Sequence, residues 1–446
     1  MTEHNGRAAE HSRAVIEVLF GPSPSRPFDV RYWDGSVDRG SGQSRFGLVV
    51  RRPGALRRML LPPSELSIVE AYISGDVDVD GDLEDAVTLG DAINAQLKSP
   101  RRLAAVARHL LALPKDDSTV DVTVARAERT VAHAGHRHDE SRDRSAIQYH
   151  YDVGNDFYSL WLDDRMVYSC AYFRSPADTL EDAQLAKLDL VCRKLRLKPG
   201  DRLLDVGCGW GALIMHAARA YGVSALGITL SDEQAKLARE RIARAGLQDR
   251  ARVELRDYRE LDGQTFDKIS SVGMIEHVGA ENLPVYFRAL HAALEPRGVL
   301  LNHGIVSVED ARPIGVRDRL ERKLWRRDAF IDQYVFPDGK LAPFQAVVGA
   351  AEAEGFETRD VESLREHYVL TLRAWLHRLT ERAQEAIAAT NERLYRTWRL
   401  YMTASAQGFA SGRINVVQTL FSKPDARGGS GLPLRRDDLL ASPLLD

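Results

Sequence analysis

The sequence contains few cysteines. Its 446 residues include only Cys170, Cys192 and Cys208, and no two of them form a Cys-x-x-Cys pair. A disulfide framework or a structural zinc site needs several cysteines at short, regular spacings, so neither is expected. The scarcity favours a protein of the reducing cytoplasm.

Net charge and long apolar runs are also lacking. The 61 basic and 64 acidic residues leave a formal net charge of −3, which gives no indication of nucleic-acid binding. No stretch approaches the roughly 18 apolar residues of a membrane span, so any bilayer contact is expected to be peripheral. The N-terminal segment carries Glu, His and Arg and no long apolar core, which argues against a signal peptide.

The length predicts two or three domains, and the composition is that of a globular protein, with 44% hydrophobic and 28% charged residues. Residues 1–118 are predicted to form a small α+β domain. In it, "FDVRYWDGSVDRG" alternates apolar and polar residues and turns at Asp34-Gly35, which predicts a hairpin, and "RFGLVVRR" predicts another strand. The stretch from Ala55 to Ile93 is predicted to be helical, with two Asp/Gly-rich turns.

Residues 99–114, "SPRRLAAVARHLLALP", predict an amphipathic helix that carries Arg101, Arg102 and Arg108. Two interpretations are open: an interdomain helix with a solvated basic face, or an interfacial helix that contacts anionic lipid. Residues 119–146 are charged and poor in large apolar side chains, as in a linker. The linker contains three histidines with no fixed geometry, so a solvated run is favoured over a metal site: His133, His136 and His138.

From residue 147 to 424 helical patterns alternate with short apolar strands. "RLLDVGCG", "SALGITL", "RVELRDY", "FDKISSVGMI" and "GVLLNHGIV" are typical of strands, and the segments between them have helical periodicity. This order predicts an α/β domain with a parallel, doubly wound, Rossmann-like sheet. Residues 425–446 are rich in Gly and Pro and predict a loosely ordered tail.

The segment "LLDVGCGWGAL" places Asp205, Gly207 and Gly209 at the end of the first strand. Such glycines let a ligand approach the backbone closely, although a dinucleotide loop or a cofactor-free turn would have the same pattern. The aspartate suits a ligand ammonium, and the second strand ends in "GITLSDEQ" rather than in the isolated acid that holds an NAD ribose. Together these features resemble a class I methyltransferase that uses S-adenosylmethionine (SAM). Cys208 is then a small filler in the loop and Cys192 a core residue.

The segment "HYDVGNDFYSLWLDDRMVYSCAYF", residues 150–173, is more specific. With "MIEHVG" and "NVVQTLFSK" it closely resembles the cyclopropane fatty acid synthases and the related mycolic acid cyclopropane synthases. The resemblance covers nearly the whole chain. "RYWDGS" and "EAYISGDVDVDGDL" resemble the amino-terminal domain of the phospholipid enzymes, which enzymes acting on carrier-bound mycolic chains lack, so the phospholipid branch is favoured.

The resemblance implies two sets of site residues. The SAM site would include Asp205 and Tyr258 together with Tyr168, Ser169, Gly207, Gly209, Thr229, Leu230 and Gln234. A bicarbonate ion would be held beside the reacting methyl group by Cys170, Glu276, His303, Ile305 (through its backbone) and Tyr368. There are departures from the family pattern: Asn302 and Gly304 replace an apolar residue and a frequent Thr, and Tyr258-Arg259 replaces a Trp-Glu pair found in some relatives.

The implied reaction makes clear demands on the protein. A cis alkene is a weak nucleophile, so the enzyme must align it with the sulfonium methyl group, exclude water from the resulting carbocation and remove a proton. Proton loss from the delivered methyl group gives a cyclopropane. A hydride shift first gives a methylene or methyl-branched chain, with a partner reductase. A non-catalytic lipid-binding protein is the alternative from another class.

Taken alone, the candidate residues have simpler explanations. Glu276-His277 could be a charge pair at a helix N-terminus, and His303 a core histidine. Cys170 could be a packing residue, a nucleophile or a metal ligand, but no His adjoins it in sequence, and the resemblance favours a hydrogen-bond donor. Residues 317–344 are basic and aromatic, which fits either a solvated helix or a membrane-facing lid. The expected partners are a phospholipid bilayer at the inner face of the cell membrane and a second copy in a homodimer.

Overall fold

The computed structural model describes residues 2–42, 45–115, 153–261, 263–308, 329–335 and 341–439. Contacts group the chain into two compact units. The first comprises residues 1–129, 312–335 and 391–404, and the second comprises residues 130–311, 336–390 and 405–446. The predicted linker at 119–146 and most of the predicted lid at 317–344 lie outside the described residues. Residues 391–404 group with the first unit, an arrangement that the sequence did not predict.

The first unit is built on a four-stranded sheet in the order β2-β1-β3-β4. Its elements are α1 (Thr2–Phe20), β1 (Asp29–Tyr32), β2 (Val37–Asp38), β3 (Phe46–Val50), α2 (Ala55–Leu60), α3 (Glu65–Ile73), β4 (Val77–Gly81), α4 (Leu83–Val87), α5 (Leu89–Leu97) and α6 (Pro100–Ala112). The hairpin at Asp34-Gly35 is confirmed by the antiparallel pairing of β1 and β2. Strand β4 lies in the stretch that was predicted to be helical with two Asp/Gly-rich turns. It pairs antiparallel with β3, so this part of the prediction is wrong.

Buried contacts explain two features of this unit that the sequence did not reveal. Helix α1 buries Val15 and Ile16 and packs on α6, whose own buried residues are Val106 and Leu110. Residues 391–404 are anchored by Arg396, which is buried and pairs with Asp78 of β4 at 3.1 Å. Both depend on contacts between segments distant in sequence.

The remaining elements, in chain order, are α7 (Asn155–Ser159), α8 (Leu180–Leu195), β5 (Arg202–Val206), α9 (Ala212–Tyr221), β6 (Ser224–Thr229), α10 (Asp232–Arg244), β7 (Ala251–Leu255), β8 (Phe266–Val272), α11 (Ile275–Val278), α12 (Leu283–Ala293), β9 (Leu294–Ser307), α13 (Ala329–Tyr334), α14 (Phe344–Ala353), β10 (Glu357–Ser363), α15 (Arg365–Glu381), α16 (Ala383–Ala389), α17 (Glu392–Ala410) and β11 (Ile414–Ser422). All of them except α13 and most of α17 belong to the second unit.

The second unit contains a seven-stranded sheet in the order β10-β11-β9-β8-β5-β6-β7. The five strands predicted between residues 202 and 307 are confirmed and run parallel to one another. Strand β11 is antiparallel to both of its neighbours. The strand order reverses beside β5, and the carboxyl edge at such a point is where doubly wound sheets bind ligands. Within the part of the chain that the structure describes, no helix is long and apolar enough to span a membrane.

Candidate cofactor and active site

The glycine loop follows β5 directly and is shaped by backbone that only glycine adopts easily. Gly207 has a φ of 78°, and a Cβ there would lie 2.6 Å from Sδ of Met274. Gly209 has a φ of 52°, and its Cβ position has no atom within 4 Å, so the backbone there borders open space. Cys208 between them is buried, and its Sγ occupies the space where Gly227 of β6 would carry a Cβ. It is a packing residue, as predicted.

A cavity of about 1190 Å³, including space open to solvent, lies along this edge of the sheet. All nine residues predicted for the cofactor line it: Tyr168, Ser169, Asp205, Gly207, Gly209, Thr229, Leu230, Gln234 and Tyr258. These residues come from four chain segments, which the strand order brings to one place. None of the five residues predicted for the anion is among the residues that line this described cavity.

Asp205 and Asp257 are buried acids of the cavity, and Asp257 pairs with Arg259. Oδ1 of Asp205 accepts a hydrogen bond from Oγ of Ser270 on β8, at 2.7 Å. Burial raises the pKa of the Asp205 carboxyl to about 6, while the Ser270 hydrogen bond and the positive charge of Lys187 act in the opposite direction. A positively charged ligand group beside it would favour the ionised form.

The ends of the second and third parallel strands complete the cavity wall. Thr229 Oγ1 donates to Oε1 of Gln234 at 2.8 Å, which fixes both side chains where β6 meets α10. After β7, Tyr258 packs edge-on against Tyr286 with 5.2 Å between ring centroids. Arg259 folds back onto Asp257 at 2.7 Å and over the Tyr258 ring. Tyr258 therefore contributes an aromatic ring to the cavity wall, and Asp257 neutralises the charge of Arg259.

Lys187 is a cavity residue that the sequence analysis missed. It lies on α8, is 3% exposed, and donates from Nζ to Oγ of Ser169 at 2.9 Å. Burial lowers the pKa of the ammonium to about 8, opposed by the carboxylates of Asp163 and Asp205. The segment "AQLAKLDLV" has the pattern of any amphipathic helix, so only the tertiary structure reveals that this lysine points inward.

The predicted anion residues form their own group. Glu276 follows β8 on α11, and its Oε1 accepts a hydrogen bond from the backbone N–H of Ile305 at 2.7 Å. The other oxygen, Oε2, is buried and has no hydrogen-bond partner in the structure. Burial raises the pKa of Glu276 to about 7, and the backbone hydrogen bond only partly opposes this. The backbone of Ile305 was expected to hold the anion, and its N–H instead bonds to Glu276 in the structure.

His303 lies on β9, two residues before Ile305, and is buried. Its Nδ1 is 3.1 Å from the side-chain nitrogen of Gln418 on β11. Gln418 Oε1 already accepts from Nζ of Lys194 at 2.8 Å, so the amide NH₂ must face His303 and donate to it. Burial, aided by the charges of Lys187 and Lys194, lowers the pKa of His303 to about 3. His303 is therefore neutral, with its proton on Nε2.

Cys170 lies in the irregular segment 166–173 and is fully buried. Its Sγ lies 3.3 Å from the carbonyl oxygen of Ala171 and 3.7 Å from that of Leu364, and its single S–H can donate to either of them. Burial raises the pKa of the thiol far above its ordinary value, so Cys170 is a neutral thiol and not an activated nucleophile. Tyr368, on α15, is buried against Phe409 with 4.7 Å between ring centroids.

Strand β11 connects these residues. The N–H of Leu364, beside Cys170 and at the start of α15, donates to the Val416 carbonyl, and Val416 pairs with Ile305 of β9. Cys170 and Tyr368 both contact Leu364, Cys170 through its Sγ and Tyr368 through its backbone N–H, so Leu364 links them to β11. Lys187 interacts electrostatically with both Cys170 and His303. Neighbouring strands and a cavity lysine therefore link the segments that carry the predicted anion residues, and their grouping around one ion stays a prediction.

Gly304 explains one departure from the family pattern. A Cβ at this position would lie 2.3 Å from Cγ1 of Ile275, and 3.6 Å from the unpartnered Oε2 of Glu276. A threonine cannot be placed here unless Ile275 moves. The absent side chain therefore lets Ile275 pack against the strand and leaves Glu276 Oε2 without a hydroxyl neighbour from β9.

Comparisons with known proteins indicate the family of this chain. The family model described as mycolic acid cyclopropane synthetase matches residues 138–419, and a domain of unknown function matches residues 15–96. A probable fatty acid methyltransferase of Pseudomonas putida is 40% identical over 93% of this chain and 96% of its own length. The cyclopropane-fatty-acyl-phospholipid synthase of Escherichia coli K12 is 40% identical over 64% of this chain and 70% of its own.

A solved structure of a related enzyme has a similar fold. The mycolic acid cyclopropane synthase CmaA1, complexed with SAH and CTAB, is 37% identical and superposes with a TM-score of 0.57, covering 62% of this chain and 97% of that one.

Proposed function

The chain belongs to the mycolic acid cyclopropane synthetase family and is a SAM-dependent methyltransferase, and from this premise we propose that it methylates cis double bonds in the acyl chains of membrane phospholipids to form cyclopropane fatty acids. The observation that carries the proposal is the pairing of a cofactor cavity with a separate, buried donor set. The cavity's open backbone at Gly209 and a buried acid, Asp205, fit the cofactor. When bound, SAM supplies the electrophilic methyl group.

The buried donor set suits a small oxyanion. Glu276, His303, Cys170 and Tyr368 would hold a bicarbonate ion, which supplies a base in a site without bulk water. His303 offers an Nε2–H donor because Gln418 occupies Nδ1, and the neutral thiol of Cys170 would donate its one S–H to the ion in place of a backbone carbonyl. Glu276, with a pKa near neutrality and one unpartnered oxygen, is suited to exchange a proton with that ion.

Aromatic rings pack around Tyr168, a residue of the cofactor cavity, and support the protection of a carbocation. The ring of Tyr168 lies 5.3 Å from Trp375 and 5.5 Å from Trp161 between centroids. Such faces exclude water and are attractive to positive charge.

Helix α6 supports a bilayer as the source of the substrate. Leu103 and Leu111 are 41% and 60% exposed, and the neighbouring Arg101, Arg102 and Arg108 are exposed as well. The helix contains no acidic residue. A basic face beside exposed leucines fits an anionic lipid surface, so of the two interpretations of this helix we propose the interfacial one. The homodimer, the cytoplasmic location and a reductase partner stay predictions.

The branched product is the second candidate. The Pseudomonas putida relative, which is similar over almost the whole chain, is named a fatty acid methyltransferase rather than a cyclopropane synthase. Cyclopropane and methylene products have the same added mass, so proton NMR of lipids from expressing cells is the decisive experiment. Upfield ring protons are expected, and vinylidene protons without them would favour the branched product.

A further inference from the structure

Lys187 is the buried cation of the cofactor cavity, and the mechanism above gives it no role. Its Nζ donates to Ser169 Oγ at 2.9 Å, and no ion pair within 4.0 Å joins it to a carboxylate of the described residues. An ammonium has three N–H donors, and the bond to Ser169 uses one of them. The lack of such an ion pair is unusual, because a buried charge is normally paired.

The cost of burying this charge appears as a lowered pKa of Lys187. Desolvation lowers the pKa of Lys187 to about 8, and the more distant carboxylates of Asp163 and Asp205 restore only part of the loss. A ligand that brings a carboxylate to Nζ would remove the imbalance. The free site is therefore preorganised for an anion.

Asp205 provides a negative charge in the same cavity. It is buried, lines the same cavity as Lys187, and has the opposite charge. The amino-acid end of SAM carries one carboxylate and one ammonium, so a buried cation and a buried anion in one cavity match it. We propose that Lys187, together with Ser169, binds the carboxylate of the methionine portion of SAM, while Asp205 faces its ammonium.

The competing ligand for Lys187 is the bicarbonate ion. Lys187 lines the cofactor cavity, whereas none of the five anion residues does. Its hydrogen-bond partner, Ser169, lines that cavity too. Both positions place the ammonium on the cofactor side, so the geometry favours the cofactor's carboxylate.

The test uses two ligands that differ only in that carboxylate: S-adenosylhomocysteine and its decarboxylated analogue, S-adenosyl-3-thiopropylamine. Calorimetry with the full-length protein should show that Lys187→Gln weakens S-adenosylhomocysteine by roughly 10- to 100-fold, as for loss of a hydrogen bond to a charged group. Binding of the analogue should change less than about twofold. Lys268→Gln removes a half-buried lysine of β8 outside the cavity and should leave both affinities unchanged.

Two results would overturn the proposal. Equal weakening of both ligands would show that Lys187 only supports the fold of the cavity. Unchanged binding of both, with a raised bicarbonate requirement for turnover, would assign Lys187 to the bicarbonate ion. If Lys187→Gln fails to fold, Lys187→Arg must keep the preference of the wild type for the carboxylated ligand. Failure of the wild type to bind S-adenosylhomocysteine would instead contradict the cofactor assignment itself.

Discussion

Gln418 donates a hydrogen bond to Nδ1 of His303 across the β9–β11 pair, over 3.1 Å. The orientation of the amide is fixed because Lys194 donates to its oxygen at 2.8 Å. A chain of donors from Lys194 through Gln418 therefore decides which nitrogen of His303 carries the proton. Since the proposed role of His303 needs a donor at Nε2, residues outside the site determine its chemistry.

Gln418→Glu should reverse this arrangement. A carboxylate can only accept a hydrogen bond, so it should draw the His303 proton to Nδ1 and raise the pKa of the imidazole. We expect turnover to fall roughly 10- to 100-fold, as for other positioning residues of a site. Nitrogen-15 NMR of labelled histidine checks the tautomer directly. Asn415→Asp, on the same strand, controls for added charge, and wild-type turnover in Gln418→Glu would contradict the role of the donor chain.

Glu276 should make the stability of the protein depend on pH. Its carboxyl titrates near pH 4.5 in the unfolded chain but at about 7 in the folded protein, because burial raises its pKa. Between these values the folded state binds more protons, so stability falls as pH rises from 4.5 to 7 and the full loss, on the order of 3 kcal/mol, persists above pH 7.

Glu276→Gln removes this titration. Urea unfolding of the protein without bicarbonate should show the variant gaining stability relative to wild type between pH 5 and pH 8. A stability difference that is the same at both pH values would mean that the carboxyl is not buried as described. Turnover should nevertheless be lost in Glu276→Gln and Glu276→Ala, and normal turnover in either would contradict the assignment of the anion site.

The sequence predicted which residues line the cofactor cavity better than it predicted the residues that support them. The residues of the cofactor cavity were found because they lie in short local motifs at strand ends, where backbone requirements restrict the choice of residue. Lys187 and Gln418 were missed because each looks like an ordinary residue of a helix or strand. Their roles arise only when α8 and β11 pack beside β9, contacts between segments that lie far apart in sequence.

The fold shows the same division. Parallel strands between residues 202 and 307 follow from local patterns of hydrophobic residues. Strand β4 could not be predicted in this way, because "DVDVDG" contains acids and a glycine that are typical of turns. The segment forms a strand because it pairs with β3. The antiparallel direction of β11 likewise depends on a partner strand more than 100 residues earlier in the chain.

Cys170 should act as a hydrogen-bond donor and not as a nucleophile. Because burial keeps its thiol protonated, iodoacetamide at pH 7.5 should not inactivate the protein. Cys170→Ser keeps a donor and should retain more turnover than Cys170→Ala, by roughly tenfold for one hydrogen bond of about 1.4 kcal/mol. Cys192→Ala is the control for lost packing at a buried cysteine. Equal turnover in the Ser and Ala variants would exclude a donor role.

Gly304 should tolerate no side chain while Ile275 keeps its present position. Gly304→Ala places a methyl group 2.3 Å from Ile275 Cγ1, so we expect a loss of about 1–3 kcal/mol in the free energy of unfolding. Ile275→Ala alone should also destabilise the protein, by creating a cavity. The double variant should be more stable than the sum of the two effects predicts, and strict additivity in urea unfolding would show that the two residues do not compete for space.

The exposed face of α6 should bind anionic bilayers. Leu103 and Leu111 would insert at the interface and Arg101, Arg102 and Arg108 would meet lipid phosphates, so both apolar contact and charge contribute. The double variant Leu103→Asp/Leu111→Asp should reduce co-sedimentation with phosphatidylglycerol vesicles at least about tenfold, since it removes buried apolar area and adds repulsion. Val285→Asp makes a matched change at an exposed valine of α12, 45% exposed, and should bind like wild type. Vesicle binding that is unaffected by the α6 changes, or equally reduced by Val285→Asp, would place the membrane contact elsewhere on the protein.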